Sequence, residues 1–381
     1  LRKGYAMQPV RYGMIGCGDM GRVHAMNFSQ KPGLAEAVVI CDINEDNSKA
    51  MRKELPNGNS VPAVSDYRQV LAMDEVEAVI ISTPNNRHYQ IVLDAFDAGK
   101  HVFCEKPMEV TLQRCREMVR AWKQSGLVFQ IGLVYRYSPL FRRMAQLIQD
   151  GAIGQPWMAW CHEFREPFPI GRTREWRYSE AQSGGALVEK DCHHFDLFNW
   201  MFGVQPKRVQ AMGGQLAIKA DNTGSWRPGV TGEPYPDSLA PHPEVLDHAW
   251  VNIAYENGAK ANLGLCFFAP KMGLPFGVLG TKGRIESNVA NQTMELIEYN
   301  FKTGEPKRTN IEAGTDVYGL GQIGHSGGFD QHVEFCECVR KGRQAWCNGD
   351  IGIQSLYPAF AAQKSILENG RVVDIAEIVS G

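Results

Sequence analysis

The stretch VRYGMIGCGDMGRVHAMNF, residues 10–28, constrains the fold more than any other part of the chain. A short apolar run leads into Gly16-x-Gly18-x-x-Gly21 and then into a helical pattern. Glycines at this spacing allow a tight turn, close approach of backbone to a pyrophosphate, and close helix–strand packing. The helix N-terminus then faces the phosphates. Gly16, Gly18, Asp19, Met20 and Gly21 are therefore expected at the cofactor. The next apolar run, EAVVICD, ends in Asp42, where a carboxylate would accept hydrogen bonds from ribose hydroxyls. A 2′-phosphate beside Asp42 would be repelled, and Ile43 and Asn44 supply no cation, so NAD is favoured over NADP. The structural alternative for Asp42 is an acidic turn residue.

Alternation continues through EAVIISTP, HYQIVLDAFDAG, KHVFCEKP, LQRCREMVRAWKQSG and LVFQIGL. Strands alternating with helices imply a doubly wound parallel sheet, which binds ligands at the carboxyl ends of its strands. That rule selects Thr83, Pro84 and Asn85 with nearby His88, and Glu105 with Lys106. A solvated surface lysine is the competing reading of Lys106.

Beyond Gly132 the pattern changes to a helix closing at Gly151, a strand WMAWCHEFRE, a further helix, then several strand-like runs and two late helices. The expected fold class is α/β: a Rossmann domain over residues 8–133, and an α+β domain over 134–381 built on a mostly antiparallel open sheet. A cleft between the domains is the expected active site. The Pro- and Gly-rich segment Ala220–Glu244 reads as a long loop, of the kind used as a lid, binding element or partner contact.

A length of 381 residues suits two domains, and 44% hydrophobic residues is ordinary for a globular chain. Forty basic against 42 acidic residues advertise no surface for nucleic acid. No apolar run approaches the roughly 20 residues needed to span a bilayer. The start LRKGYAMQPV lacks a signal core and a twin-arginine pair, and Met7 reads as a native start, so a cytoplasmic location is expected. Ten cysteines without a C-x-x-C pair fit reduced, buried thiols.

The densest chemistry lies in VEKDCHHFDLFNW, residues 188–200. Its apolar positions read as a helix, on which Glu189 and His193 stand four apart and share a face, with Asp196 one turn beyond His193. His194 points about 100° away from His193. Cys192, His193, His194 and Asp196 are metal-ligand types, yet consecutive helical residues radiate apart, so no metal is expected. A core histidine satisfied by Asp196 or backbone, and a helix-start carboxylate favoured by the dipole, are the structural alternatives for His193 and Glu189.

These residues together resemble the glucose–fructose oxidoreductase / inositol dehydrogenase / rhizopine-catabolism (Gfo/Idh/MocA) family. The likeness is carried by the glycine turn, STPNNRHYQIVLDAFDAGKHVFCEKP at 82–107, GAIGQP at 151–156, GGALVEKDCHHFDLFNW at 184–200 and FCECVRKGRQAWCNGDIGIQSL at the close. It implies NAD(P)-dependent oxidation or reduction of sugars and polyols, with a sheet domain serving substrate and oligomer contacts. The family's E-K-P lysine falls on Lys106, and its D-x-x-x-H pair on Glu189 and His193. Here the usual aspartate is a glutamate, and Lys190, Asp191 and His194 make the surroundings more polar than the family pattern. Arg136, Tyr137, Trp176 and Arg177 match family positions near the cleft, with packing or interface residues as the alternative reading.

Hydride transfer from a secondary alcohol needs a positive charge at the developing oxyanion and a base for the proton. Lys106 suits the first role and His193 the second, with both expected at one substrate hydroxyl. Glu189 would orient the imidazole, and Asp196 would join the network or contact the substrate. Besides a dehydrogenase, two readings stay open: a hydrolase or lyase using transient oxidation by bound NAD, and a non-catalytic NAD-dependent sensor. The expected partners are a carbohydrate or polyol substrate and further copies of the chain, in a homodimer or homotetramer.

Overall fold

The structure is a computed structural model of the chain, and it describes residues 8–30, 33–165, 175–216, 245–289, 291–300, 302–312 and 328–380. The segment Ala220–Glu244 lies outside these residues.

The chain begins with β1 (Val10–Ile15), α1 (Asp19–Ser29), β2 (Ala35–Cys41), α2 (Glu45–Arg52), β3 (Ala63–Val64) and α3 (Tyr67–Leu71). It continues with β4 (Ala78–Ile81), α4 (His88–Asp97), β5 (His101–Cys104), α5 (Leu112–Ser125) and β6 (Phe129–Ile131). The six strands form one parallel sheet in the order β3-β2-β1-β4-β5-β6. All four residues of β4 are buried, as a central strand covered on both faces requires. The order reverses between β1 and β4, and ligands of such sheets bind at the carboxyl ends beside that switch.

The following elements are α6 (Pro139–Gln149), β7 (Pro156–Phe164), α7 (Glu180–Ser183), α8 (Ala186–Glu189), α9 (Cys192–Phe202), β8 (Pro206–Gly214) and β9 (His248–Tyr255). Then come β10 (Lys260–Cys266), β11 (Pro275–Gly280), β12 (Gly283–Asn288), β13 (Thr293–Glu298), β14 (Lys307–Asn310), α10 (Gly328–Lys341), α11 (Gly349–Leu367), β15 (Val373–Asp374) and α12 (Ile375–Ser380). Nine strands make a second sheet, β14-β13-β12-β11-β7-β10-β9-β8-β15, in which β7 and β10 pair in parallel and the other described pairs are antiparallel.

The chain divides into two compact units: residues up to Val134 with 327–353, and residues 135–326 with 354–381. The expected boundary at 133/134 therefore misses one segment, because α10 belongs to the first unit. Phe335, Cys336 and Cys338 of α10 are buried in the same core as Val10, Met14, Ile40, Ile80 and Phe103. Arg340, also on α10, holds Glu77 through two bonds of 2.7 and 2.8 Å. That paired geometry keeps the Glu77 carboxyl at about 2, chiefly through the Arg340 hydrogen bonds.

Candidate active site

In the first unit, β1 ends in a turn that only glycine can make. Gly16 sits at φ +95°, where a Cβ would meet the Ser82 backbone at 2.7 Å. A Cβ on Gly21 would approach the Gly16 carbonyl oxygen to 2.1 Å. Gly18 is different: a Cβ there would meet nothing within 4 Å, so the outer side of the turn is open in front of the first amides of α1. Asp19 and Met20 begin that helix. This cradle fits a dinucleotide pyrophosphate.

Asp42 follows β2 directly. Its Oδ2 accepts the Cys17 amide at 2.7 Å and Oδ1 accepts the Asn44 amide at 2.8 Å. The carboxylate thus braces the glycine turn at the carboxyl end of β2, and its remaining lone pairs can still accept hydroxyls.

Beside it, Thr83, Pro84 and Asn85 follow β4, and Glu105 and Lys106 follow β5, on adjacent strands. His88 joins the two loops: Nδ1 lies 2.9 Å from the Pro107 carbonyl oxygen and Nε2 lies 3.1 Å from that of Thr83. Burial holds the His88 imidazole below its ordinary value, against the pull of the carbonyls and of Glu109 and Glu105. His88 thus lies between the two loops with a carbonyl oxygen beside each ring nitrogen, and as a neutral ring it donates to one of them. The Glu105 carboxylate accepts the Lys106 amide at 3.1 Å and lies 2.9 Å from His24.

In the second unit the expected single helix is broken. Glu189 ends α8, Lys190 and Asp191 intervene, and α9 starts at Cys192, so Glu189 and His193 do not share one continuous helix. At the break the Asp191 side chain is turned to its own helix: Oδ1 lies 3.0 Å from His194 Nδ1. His193 is buried, with its ring 4.7 Å from that of Tyr135. Glu189 lies 3.5 Å from Arg177 Nε, and the Arg177 guanidinium lies over Trp176 at 5.4 Å. Asp196 receives a two-pronged bond from Arg136, Nε to Oδ2 at 2.7 Å and Nη2 to Oδ1 at 2.8 Å. Burial raises the Asp196 carboxyl and Arg136 opposes that rise. Asp196 thus anchors Arg136.

His194, the residue after His193, also stands near Tyr135, with ring centroids 5.7 Å apart. Its Nε2 lies 3.4 Å from Glu163, a fully buried residue of β7 that also contacts Arg165 and Lys190. Burial alone would lift Glu163, but Arg165, His194 and Lys190 together bring it below its ordinary value. Burial lifts Asp191 to about 6, against the pull of His194. The folded protein therefore binds the Asp191 proton more tightly than the unfolded chain does. Ionisation between about pH 4 and 6 then costs the wild-type protein stability that a neutral residue keeps. Asp191→Asn is expected to gain on the wild type as pH rises through that window, by at most about 3 kcal/mol, and to level off above it. Denaturant unfolding at pH 4.5, 6 and 7.5 checks this; a stability difference independent of pH would contradict it.

Several of these residues carry signals that patterns alone pass over. Glu163 is in phase with the buried Ala159 and Cys161 of β7, and a charge on the buried register of a strand asks for partners. His24 lies on the buried face of α1 with Gly21, Ala25, Asn27 and Phe28. Tyr135 gives no signal in the sequence. Among the described residues, no group of three or more His, Cys, Asp or Glu side chains is placed to hold one metal ion.

The oxidoreductase family with an NAD-binding Rossmann fold matches residues 10–133, and the GFO/IDH/MocA C-terminal domain matches residues 141–286. The chain belongs to the Gfo/Idh/MocA oxidoreductase family. Its first unit is accordingly an NAD-binding Rossmann domain, and the second carries the family's mostly antiparallel sheet. Among Gfo/Idh/MocA relatives, the myo-inositol 2-dehydrogenase of Thermotoga maritima is 25% identical over 384 residues, 97% of this chain and 100% of that one. A 2,7-anhydro-N-acetylneuraminate hydratase of Mediterraneibacter gnavus is 26% identical over 333 residues, 84% of this chain and 81% of that one. Levoglucosan dehydrogenase, solved with NADH and levoglucosan, superposes with a TM-score of 0.81 at 22% identity, covering 97% of this chain and 100% of that one. At that identity the likeness carries the fold alone.

Proposed function

We propose that this Gfo/Idh/MocA protein moves hydride between nicotinamide and a secondary alcohol of a sugar, glycoside or polyol, with NAD preferred over NADP. The observation that carries the reading is Lys106, a lysine placed directly past a strand's carboxyl end, its peptide held by Glu105, beside the dinucleotide cradle. NAD held by the glycine turn and the start of α1 would supply the hydride acceptor or donor. Lys106 supplies positive charge to the alcohol oxygen as it becomes an oxyanion. His193 takes the hydroxyl proton, and Glu189 with Arg177 orients it. Arg136, fixed by Asp196, and Trp176 hold further hydroxyls of the substrate. The location is cytoplasmic, and among the described residues no helix is long and apolar enough to cross a membrane. A homodimer or homotetramer would cover the exposed Trp157, Met158, Met212 and Trp250 of the large sheet.

The test is a panel of sugars, glycosides and inositols with NAD, reading NADH absorbance and product mass together. Net NADH with an oxidised product supports the dehydrogenase. The named hydratase relative favours a second reading, transient oxidation followed by elimination or hydration; product without net NADH would establish it. Cofactor binding without turnover across the panel would leave a sensor.

Cofactor choice is tested at Asp42. Asp42→Asn removes the charge yet keeps an acceptor for the Cys17 amide, so it should bring NADP affinity toward that for NAD without loosening the glycine turn. Titration of both cofactors measures it, and equal affinities in the unmodified protein would remove the argument.

A further inference from the structure

We propose that His24 and His332 form a buried brace that fixes the Glu105 carboxylate and, through it, the peptide of Lys106. The inference rests on the reading of Lys106 as the charge at the reacting oxygen, and it makes His24 a positioning residue for it.

The brace runs across the first unit. His24 on α1 has its Nδ1 2.8 Å from Nε2 of His332 on α10, and its Nε2 2.9 Å from Glu105 Oε1. Nδ1 of His332 meets the Gly328 carbonyl oxygen. Both rings are fully buried, and Phe103 stacks on His332 at 5.4 Å while Phe28 meets the same ring edge-on at 4.4 Å.

Hydrogen positions follow from the ends of this row. A carbonyl only accepts, so His332 Nδ1 carries a hydrogen. Burial and the neighbouring His24 push His332 well below the ordinary histidine value, so the ring is neutral and its Nε2 accepts. The hydrogen between the rings therefore belongs to His24 Nδ1. His24 Nε2 stands 2.9 Å from Glu105 Oε1, close but without the alignment of an N–H···O bond.

The other oxygen of Glu105 receives the Lys106 amide at 3.1 Å. Gly132 leaves room for the carboxylate, since a Cβ there would stand 2.8 Å from Glu105 Oε1. His24 thus stands at one oxygen and the Lys106 amide at the other. Removing the His24 contact leaves the buried carboxyl freer to turn, which weakens its hold on the Lys106 peptide. A displacement of about 1 Å at a reacting group is enough for large losses in rate.

The experiment uses the full-length ¹⁵N-labelled protein and reads the Lys106 amide directly. In the wild type that amide should exchange slowly with solvent, and a ring proton on His24 Nδ1 should be visible. His24→Phe keeps the ring volume but loses both nitrogens; it should speed Lys106 exchange by about tenfold or more and abolish the ring signal. His24→Gln, which returns a side-chain donor, should restore most of the protection. Both variants should keep the thermal midpoint within a few degrees and NAD affinity within a few-fold, which separates lost positioning from lost fold. Unchanged Lys106 exchange in folded His24→Phe overturns the brace. The active-site reading is judged separately by turnover of Lys106→Met, so the two can fail independently.

Discussion

Replacing Lys106 by methionine is expected to cut turnover by about 10²–10³-fold while NAD affinity stays close to that of the wild type. Methionine keeps most of the length and apolar stem of lysine but has no charge to set against the alkoxide. The dinucleotide cradle is built from other groups: the glycine turn, the start of α1, Asp42 and the loop after β4. Binding and chemistry should therefore separate in this one variant. NADH formation with the best substrate of the panel reads the first quantity, and fluorescence titration with NAD reads the second. Turnover within a few-fold of normal would make Lys106 a surface or structural residue and move the active site elsewhere. A large loss of NAD affinity would instead place the lysine in cofactor binding.

Which features could be read from the chain depended on how local their causes are. The glycine turn, the alternation of strands and helices, and the carboxyl-end positions of Thr83 and Lys106 are all set within one stretch of sequence. The two-residue strands β3 and β15 are too short to carry any period, and they exist because a neighbouring strand offers bonds. Placement of α10 in the first unit depends on Phe335 and Cys336 joining a core whose other members lie some hundreds of residues earlier. The same holds at the candidate site. Asp196 reads as a polar residue one turn from His193, but Arg136, 60 positions earlier, takes both of its oxygens. The break between α8 and α9 accompanies Asp191 turning to His194, and the network it joins contains Glu163 from another element. Helical periodicity sees neither partner. His24 was legible only as a polar residue in a buried face, and its meaning appears once Glu105 and His332 are brought to it.

His193→Ala is expected to lower turnover by about 10²–10⁴-fold near neutral pH, the range typical for loss of a positioned general base, and by much less at alkaline pH. An imidazole ordinarily titrates near 6.5, so at neutral pH it is largely free to take the hydroxyl proton when few hydroxide ions are present. As pH rises, hydroxide and the more acidic alcohol reduce the need for it, and the ratio of wild-type to variant rate should shrink. A purely structural histidine gives another pattern: a ratio that tracks the loss of folded protein. His194→Ala supplies that comparison, because His194 contacts Glu163 and Asp191 and is expected to act mainly on stability. A metal site gives a third pattern, in which chelation abolishes turnover of the wild type and added zinc restores it. The expected result is no effect of chelator, a deficit in His193→Ala that shrinks toward alkaline pH, and one in His194→Ala that follows the folded fraction at each pH. If the two histidine variants behave alike, His193 is a core residue and the proton acceptor must be sought among Glu189 and its neighbours.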